Sequence, residues 1–384
     1  MLINPWQEVE LGRVVTLQRG YDLPYKARKQ GSVPVVTSTG ITDTHAEARE
    51  RGPGVVTGRY GTIGEVFFVK EDYWPHNTTL FVKNFHGNDP LFISYLLQTI
   101  DFKTHSGKSG VPGVNRNDLH ALTVNLPTSV EEQRVIAKAL SDADGLLDGM
   151  DRIVAKKRDL KHAVMQQLLT GETRLPGFRD EWEEKSLFDL AERRKELFDD
   201  GDWIEAEFIT DAGIRLVQTG NIGEGAFVDR EARKYISAAS FKKLRCKELR
   251  VGDVLICRLA EPAGRACILP EIGESRFITA VDVTIFRPPA SLADRRFLVQ
   301  LFCTRQWFQL VSERCGGSTR TRIARGQLGK IMLRLPAVDE QAAIADVFTD
   351  MDAEVAALER RREKTRALKR GMVQELLSGK TRLV

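Results

Sequence analysis

Two stretches of the chain carry side chains whose types and spacing suit the binding of a polyanion. The first runs from His105 through Lys108, Ser109, Asn115, Arg116 and Asn117, and the second from Arg314 through Ser318, Thr319, Arg320 and Arg322 to Arg325. Glycines and serines in both let the backbone approach a partner closely, while Arg, Lys, Asn, Ser and Thr supply donors for phosphates and base edges. Four arginines within twelve residues repel one another unless an anion lies among them, so the second stretch is either a DNA contact or a solvated basic loop. Arg59 and Arg258 pose a similar choice. Each follows a predicted strand just before a glycine turn (Gly61 and Gly64; Gly264), where it could read a base or phosphate or hold an acidic residue within its own module.

No catalytic chemistry stands out. Gly107-Lys108-Ser109 looks like the end of a phosphate-binding loop, but that motif needs a glycine five residues earlier, where Phe102 stands. The run from Gly52 to Thr57 lacks the last glycine of a dinucleotide loop, and Asn4-Pro5-Trp6 lacks the second proline of an amino-methyltransferase motif. Glu183-x-Lys185 could belong to a nuclease site, yet its repeat counterpart, Glu8-x-Glu10, has no lysine. The five cysteines (246, 257, 267, 303 and 315) include no C-x-x-C pair, and an odd count argues against a disulfide framework. The six histidines have no companions at ligand spacing, so no metal is expected.

The elements that must position these residues come from an internal repeat. Glu132-Gln133 and Glu340-Gln341 open two runs that stay in register, without a gap, to Leu175 and Leu383, with about 18 of 44 pairs identical. Both runs follow a Leu-Pro pair (126–127 and 335–336) and close alike, in Gly171-Glu-Thr-Arg174-Leu and Gly379-Lys-Thr-Arg382-Leu. Weaker matches pair Trp6 with Trp182, Arg59 with Arg258, and Arg116 with Arg325.

Apolar residues at 136, 140, 143, 147, 150 and 154, and at 344, 348, 351, 355 and 358, alternate steps of four and three. That is a coiled-coil seam, so two long helices starting near Pro127 and Pro336 and capped at Gly171 and Gly379 are expected to pack on each other. A helix from Glu131 to Leu169 would span about 58 Å and act as a rigid spacer. Ile136, Leu140, Leu147, Ile344, Phe348 and Val355, with the two Glu-Gln pairs, are the candidate spacer and partner-binding residues. Lys156, Arg158, Arg360, Arg361, Arg362 and Lys364 are either solvated flanks or part of a partner interface.

Between the helices, short apolar runs such as Val33–Val36, Gly54–Thr57, Glu65–Val69, Thr79–Val82, Asp253–Ile256, Ala266–Ile268 and Ala280–Phe286 read as strands. Short helices are expected at Leu91–Thr99 and Arg295–Val311. The fold class is α+β: two tandem α+β modules separated by two long helices forming an antiparallel coiled coil, with a pseudo-twofold repeat. The boundaries fall at 1–125, 126–175, 176–334 and 335–384.

Charge divides unevenly along these 384 residues. The net +4 hides −8 over 126–211 and +11 over 212–334, which points to a polyanionic partner for one region. No uncharged run approaches the roughly 20 residues of a membrane span, and no leader is legible at the N-terminus, so a cytoplasmic protein is expected.

The duplicated segment-plus-helix plan resembles the specificity (S) subunit of type I restriction-modification systems. The residues carrying the likeness are the Leu-Pro and Glu-Gln pairs, the two Leu-Leu-x-Gly-x-Thr-Arg-Leu closes, and the run Leu175-Pro-Gly-Phe178-x-x-x-Trp182. The resemblance implies two target recognition domains, each reading half of a split double-stranded DNA sequence, held apart by antiparallel helices. It also implies two methyltransferase (M) subunits on the helical regions and restriction (R) subunits in the full complex. S-adenosylmethionine, ATP and Mg are expected only in those partners, and this chain is expected to be non-catalytic. A fused nuclease or methyltransferase with degenerate motifs, or a coiled-coil adaptor that binds no DNA, remain the alternatives.

Overall fold

A computed structural model describes residues 6–106, 113–317 and 321–383. The chain forms two compact units, 1–153 with 358–384, and 154–357. Each unit joins one globular module to the first part of one long helix and the last part of the other.

The first module is closed by pairing of its ends, strand Trp6–Glu10 lying antiparallel to Thr123–Pro127. Pro127 thus ends a strand, and the first long helix begins only at Val130, running to Leu168. A four-stranded antiparallel sheet orders Thr16–Arg19, Thr79–Asn84, Gly54–Gly58 and Val66–Val69. A second sheet orders Gly40–His45, Val33–Thr37 and Trp74–Pro75, the last pair parallel. The central strand Gly54–Gly58 is buried at every residue, which is why its sequence is an unbroken apolar and small run rather than an alternating one.

The second module repeats this plan. Glu183–Ser186 pairs with Met332–Leu335, and a four-stranded sheet orders Phe198–Asp200, Val283–Phe286, Val254–Cys257 and Ala266–Ile268. The accompanying sheet orders Ile209–Thr210, Lys234–Ile236, Ile214–Val217 and Phe277–Thr279, again with one parallel pair. The expected helix over 295–311 is two helices, Arg295–Leu301 and Arg305–Ser312. Thr304 breaks it, its hydroxyl accepting from the Trp307 N–H as an N-cap.

Within each unit the two long helices run antiparallel, as positions that rise along one helix and fall along the other show. In the first unit Arg362 meets Asp151 at 2.9 Å, Lys369 meets Asp144, and Arg382 meets Glu132 at 2.9 Å. In the second, Lys157 meets Glu354 at 2.7 Å, Lys161 meets Asp352 at 2.6 Å, and Arg174 meets Glu340. The seam is buried at Ile136, Leu140, Leu147, Met150, Val154, Ile344 and Phe348, and Val355 is half-buried. Four of them, Ile136, Leu140, Ile344 and Phe348, also belong to the cores of the modules. Ile136, Leu140, Leu376 and Leu377 share a cluster with Phe92 and Leu119, and Ile344, Phe348, Leu168 and Leu169 share one with Phe297 and Leu328.

Candidate nucleic-acid interface

The repeat motifs at the helix ends turn out to hold each unit together internally. Glu132 is fully buried, and its carboxylate accepts two bonds from Arg382 (3.0 and 2.9 Å) and one from the Trp6 indole (3.2 Å). In the second unit Arg174 grips Glu340 in the same bidentate way and lies over the Trp182 ring. The arginine closing each run therefore clamps the glutamate opening the other. Gly379 and Gly171 hold left-handed φ of 72° and 75°, and a Cβ on Gly379 would come within 2.7 Å of the Trp6 ring. Gln133 accepts from the Asp89 N–H (2.9 Å) and donates to Pro127 O, and Gln341 does the same with Asp294 N–H (3.0 Å) and Pro336 O. Asp89 and Asp294 are the N-caps of the short helices Pro90–Gln98 and Arg295–Leu301, so each glutamine ties a module to its long helix. All four Glu and Gln side chains are buried, so none of them offers a surface to a partner chain. The expectation of partner binding moves instead to exposed apolar positions: Leu146, Ile153 and Leu368 in the first unit and Leu160 in the second. Leu368 also lines a groove of about 600 Å³ with Ala139, Met372 and Leu383.

Two of the four clustered arginines, Arg322 and Arg325, find acidic partners inside the module. Arg325 pairs with Asp199, Arg322 lies 3.5 Å from Asp282, and Arg314 donates to Leu310 O, closing the helix Arg305–Ser312. Arg320, Ser318 and Thr319, like Lys108 and Ser109 of the first module, lie outside the described residues. Arg258 is only 1% exposed; its guanidinium donates to the Val281 and Ile323 carbonyls, and its Nε sits 3.1 Å from Asp200. Of the two roles left open for it, Arg258 holds an acid within its module and is withdrawn from direct contact with a partner. Burial lowers its pKa and raises that of Asp200, against the pull of their opposite charges.

The first module differs at the counterparts of Arg258 and Arg325. Arg59 is half-exposed, stacks on the Tyr60 ring with its guanidinium carbon 4.4 Å from the centroid, and has no carboxylate partner among the described residues. Gly113 makes room for that ring, since a Cβ there would lie 2.2 Å from it. Asn115 caps the helix Arg116–His120, accepting from the Asn117 N–H at 3.0 Å. Arg116 and Asn117 are exposed, and Arg116 too lacks an acidic partner among the described residues.

Exposed cations of the second module without carboxylate partners lie at residues that motif reasoning passed over. Lys234, Lys242, Lys243, Arg245 and Arg250 are exposed and have no carboxylate partner among the described residues. Three of them cluster at the end of the helix Ala238–Leu244, where Arg245 takes a left-handed φ of 52°. The signal was present as the Lys-Lys-Leu-Arg run at 242–245, but it lies outside the glycine-rich stretch that drew attention. No cluster of three or more His, Cys, Asp or Glu suited to a metal ion occurs among the described residues, and no described helix is long and apolar enough to cross a membrane.

A sequence model of the type I restriction modification DNA specificity domain matches residues 3–153 and 179–366. The MjaVIII specificity subunit of a type I restriction enzyme of Methanocaldococcus jannaschii is 22% identical over 335 residues, covering 83% of this chain and 77% of its own. The MjaX specificity subunit described as putative in the same organism is 23% identical over 348 residues, covering 84% and 76%. In fold, the chain is similar to the type I S subunit of M. genitalium (TM-score 0.59, 13% identity, 98% and 97% coverage). It is as similar to a chain from a structure concerned with complex assembly and conformational transition of the type I R-M system (TM-score 0.59, 19% identity, 98% of both chains).

Proposed function

Because the chain belongs to the type I restriction-modification DNA specificity family, we propose that its two modules each read one half of a bipartite, asymmetric double-stranded DNA target. The two long helices set the separation of the half-sites. The observation that carries this reading is that each of two modules of like topology keeps solvent-accessible arginines or lysines without carboxylate partners among the described residues, at different places: half-exposed Arg59 and exposed Arg116 in the first, and exposed Lys242, Lys243 and Arg245 in the second. Cations left free in this way neutralise phosphates on binding, and modules that differ in their surface side chains read different bases.

The chain acts as a non-catalytic subunit. Two methyltransferase subunits dock on the exposed apolar positions of the long helices, Leu160 and Leu368 being equivalent residues of the repeat. Restriction subunits join that complex. S-adenosylmethionine, ATP and Mg belong to those partners, and the complex works on cytoplasmic DNA. Mapping methylated motifs in cells with and without this chain tests the proposal: one bipartite motif should disappear with the chain, and an unchanged methylation pattern would refute it.

A further inference from the structure

Strand register makes the two modules comparable residue by residue. Arg59 follows strand Gly54–Gly58 and Arg258 follows Val254–Cys257; Gly58 faces Thr79 as Cys257 faces Val283. One strand further out, Arg19 faces Leu80 and Gln18 faces Phe81, where Asp200 faces Thr284 and Asp199 faces Ile285. The next residue is a glycine in both (Gly20 and Gly201), pressed against backbone carbonyls at 2.1 and 2.3 Å from where a Cβ would stand. The second contact is equivalent too: Val114 donates to Arg59 O and Ile323 to Arg258 O, both at 3.0 Å, two residues before Arg116 and Arg325. So the acids that neutralise Arg258 and Arg325 occupy the positions of Gln18 and Arg19, and the first module has an arginine in place of one of them.

Resting on the DNA-binding reading above, we infer that Asp199 and Asp200 act as a built-in substitute for phosphate, so that this site grips the DNA backbone in the first module only. Arg258 and Arg325, with Lys247 at 3.2 Å from Asp199, already have their anion. A DNA phosphate entering there would have to displace two carboxylates, one of them held by the Thr284 hydroxyl at 2.9 Å. Arg59 and Arg116 face no such competitor, and the Tyr60 ring holds the Arg59 guanidinium in one place. The first module, net +1 over residues 1–125, therefore carries ionic contact at a place where the second module, net +3 over residues 176–334, carries none.

The test follows binding of the full chain to a mixed-sequence duplex, by fluorescence anisotropy, between about 50 and 200 mM salt. Each phosphate contact contributes about 0.9 to the slope of log affinity against log salt, so Arg59→Ala with Arg116→Ala should flatten it by about 2. Arg325→Ala should leave the slope unchanged. Arg19→Asp, which grafts the missing acid into the first module, should flatten it beyond the effect of Arg19→Ala. An unchanged slope in the Arg59/Arg116 variant, or Arg325→Ala flattening it as much as Arg116→Ala does, overturns the inference. Where Arg325→Ala lowers the unfolding temperature, the two Arg19 variants decide, and equal slopes for them overturn it. Wild-type chain that fails to bind the duplex at the lowest salt defeats the DNA reading itself. Steep wild-type binding indifferent to all these changes defeats only the inference.

Discussion

Lengthening both long helices by one heptad puts the spacer role to a quantitative test. Duplicating Leu147–Ile153 in the first helix and Met351–Ala357 in the second adds the same seven residues' length to each. At 1.5 Å per residue each helix grows by about 10.5 Å. That is about three base-pair steps of 3.4 Å. A heptad is the right unit because it returns Leu147, Met150 and Val154 to the same side with a drift of only about 20°. Both helices must change, since the flanking ion pairs, Arg362 with Asp151 in the first unit and Lys157 with Glu354 in the second, fix their mutual register. The assay is methylation mapping in cells whose only specificity subunit is the lengthened chain. The expected result is a motif with both half-sites unchanged and the gap longer by about three base pairs. Active complex that still methylates the original gap refutes the spacer role. A heptad in the first helix alone should abolish methylation and lower the unfolding temperature.

Three further outcomes follow from particular side chains. Replacing Lys242, Lys243 and Arg245 together by alanine should flatten the salt dependence of duplex binding by up to about 2.7; an unchanged slope removes this helix end from the interface. Burial holds the His120 imidazole below its ordinary value, and its Nε2 accepts from the Leu17 N–H at 2.9 Å. The unfolded chain then takes up protons first, so stability is complete above about pH 6.5 and is lost as pH falls through the lower folded value. His120→Gln keeps an acceptor without titrating, and its melting temperature should fall less on acidification than that of wild type; equal falls refute the assignment. Burial pushes the thiols of Cys246 and Cys303 up to about 11 and that of Cys267 to about 12. These cysteines should resist an aromatic disulfide reagent at pH near 8 until the protein is unfolded, and rapid labelling of Cys267 would mean that strand Ala266–Ile268 opens.

Much of the fold was legible because it rests on periodicity and repetition. The 4,3 spacing from Ile136 to Val154 fixes which side of a helix is apolar, and the helix Val130–Leu168 begins one residue earlier and ends one earlier than its pattern implied. Proline proved a weaker marker, since Pro127 also suits the end of a strand, and Thr304 divided a helix that apolar spacing had run together. The candidate site was legible only as a set of residues rich in positive charge. Charge along a sequence says nothing of which cations meet carboxylates in space, and Arg322 and Arg325 find theirs at Asp282 and Asp199, the latter more than a hundred residues away in the chain.

The amino-acid sequence by itself determined that the protein is built twice, which residues open and close each helix, and that Arg59 and Arg258 stand at equivalent strand ends. Only the tertiary structure decided what those residues do. Glu132 and Arg382 meet because antiparallel helices bring the start of one beside the end of the other. Arg258 is neutralised and Arg59 is free because the strand two places away in the sheet presents Asp200 in one module and Arg19 in the other. A Coulomb interaction falls with distance through space and is indifferent to distance along the chain, so the partner of a charge is settled by folding.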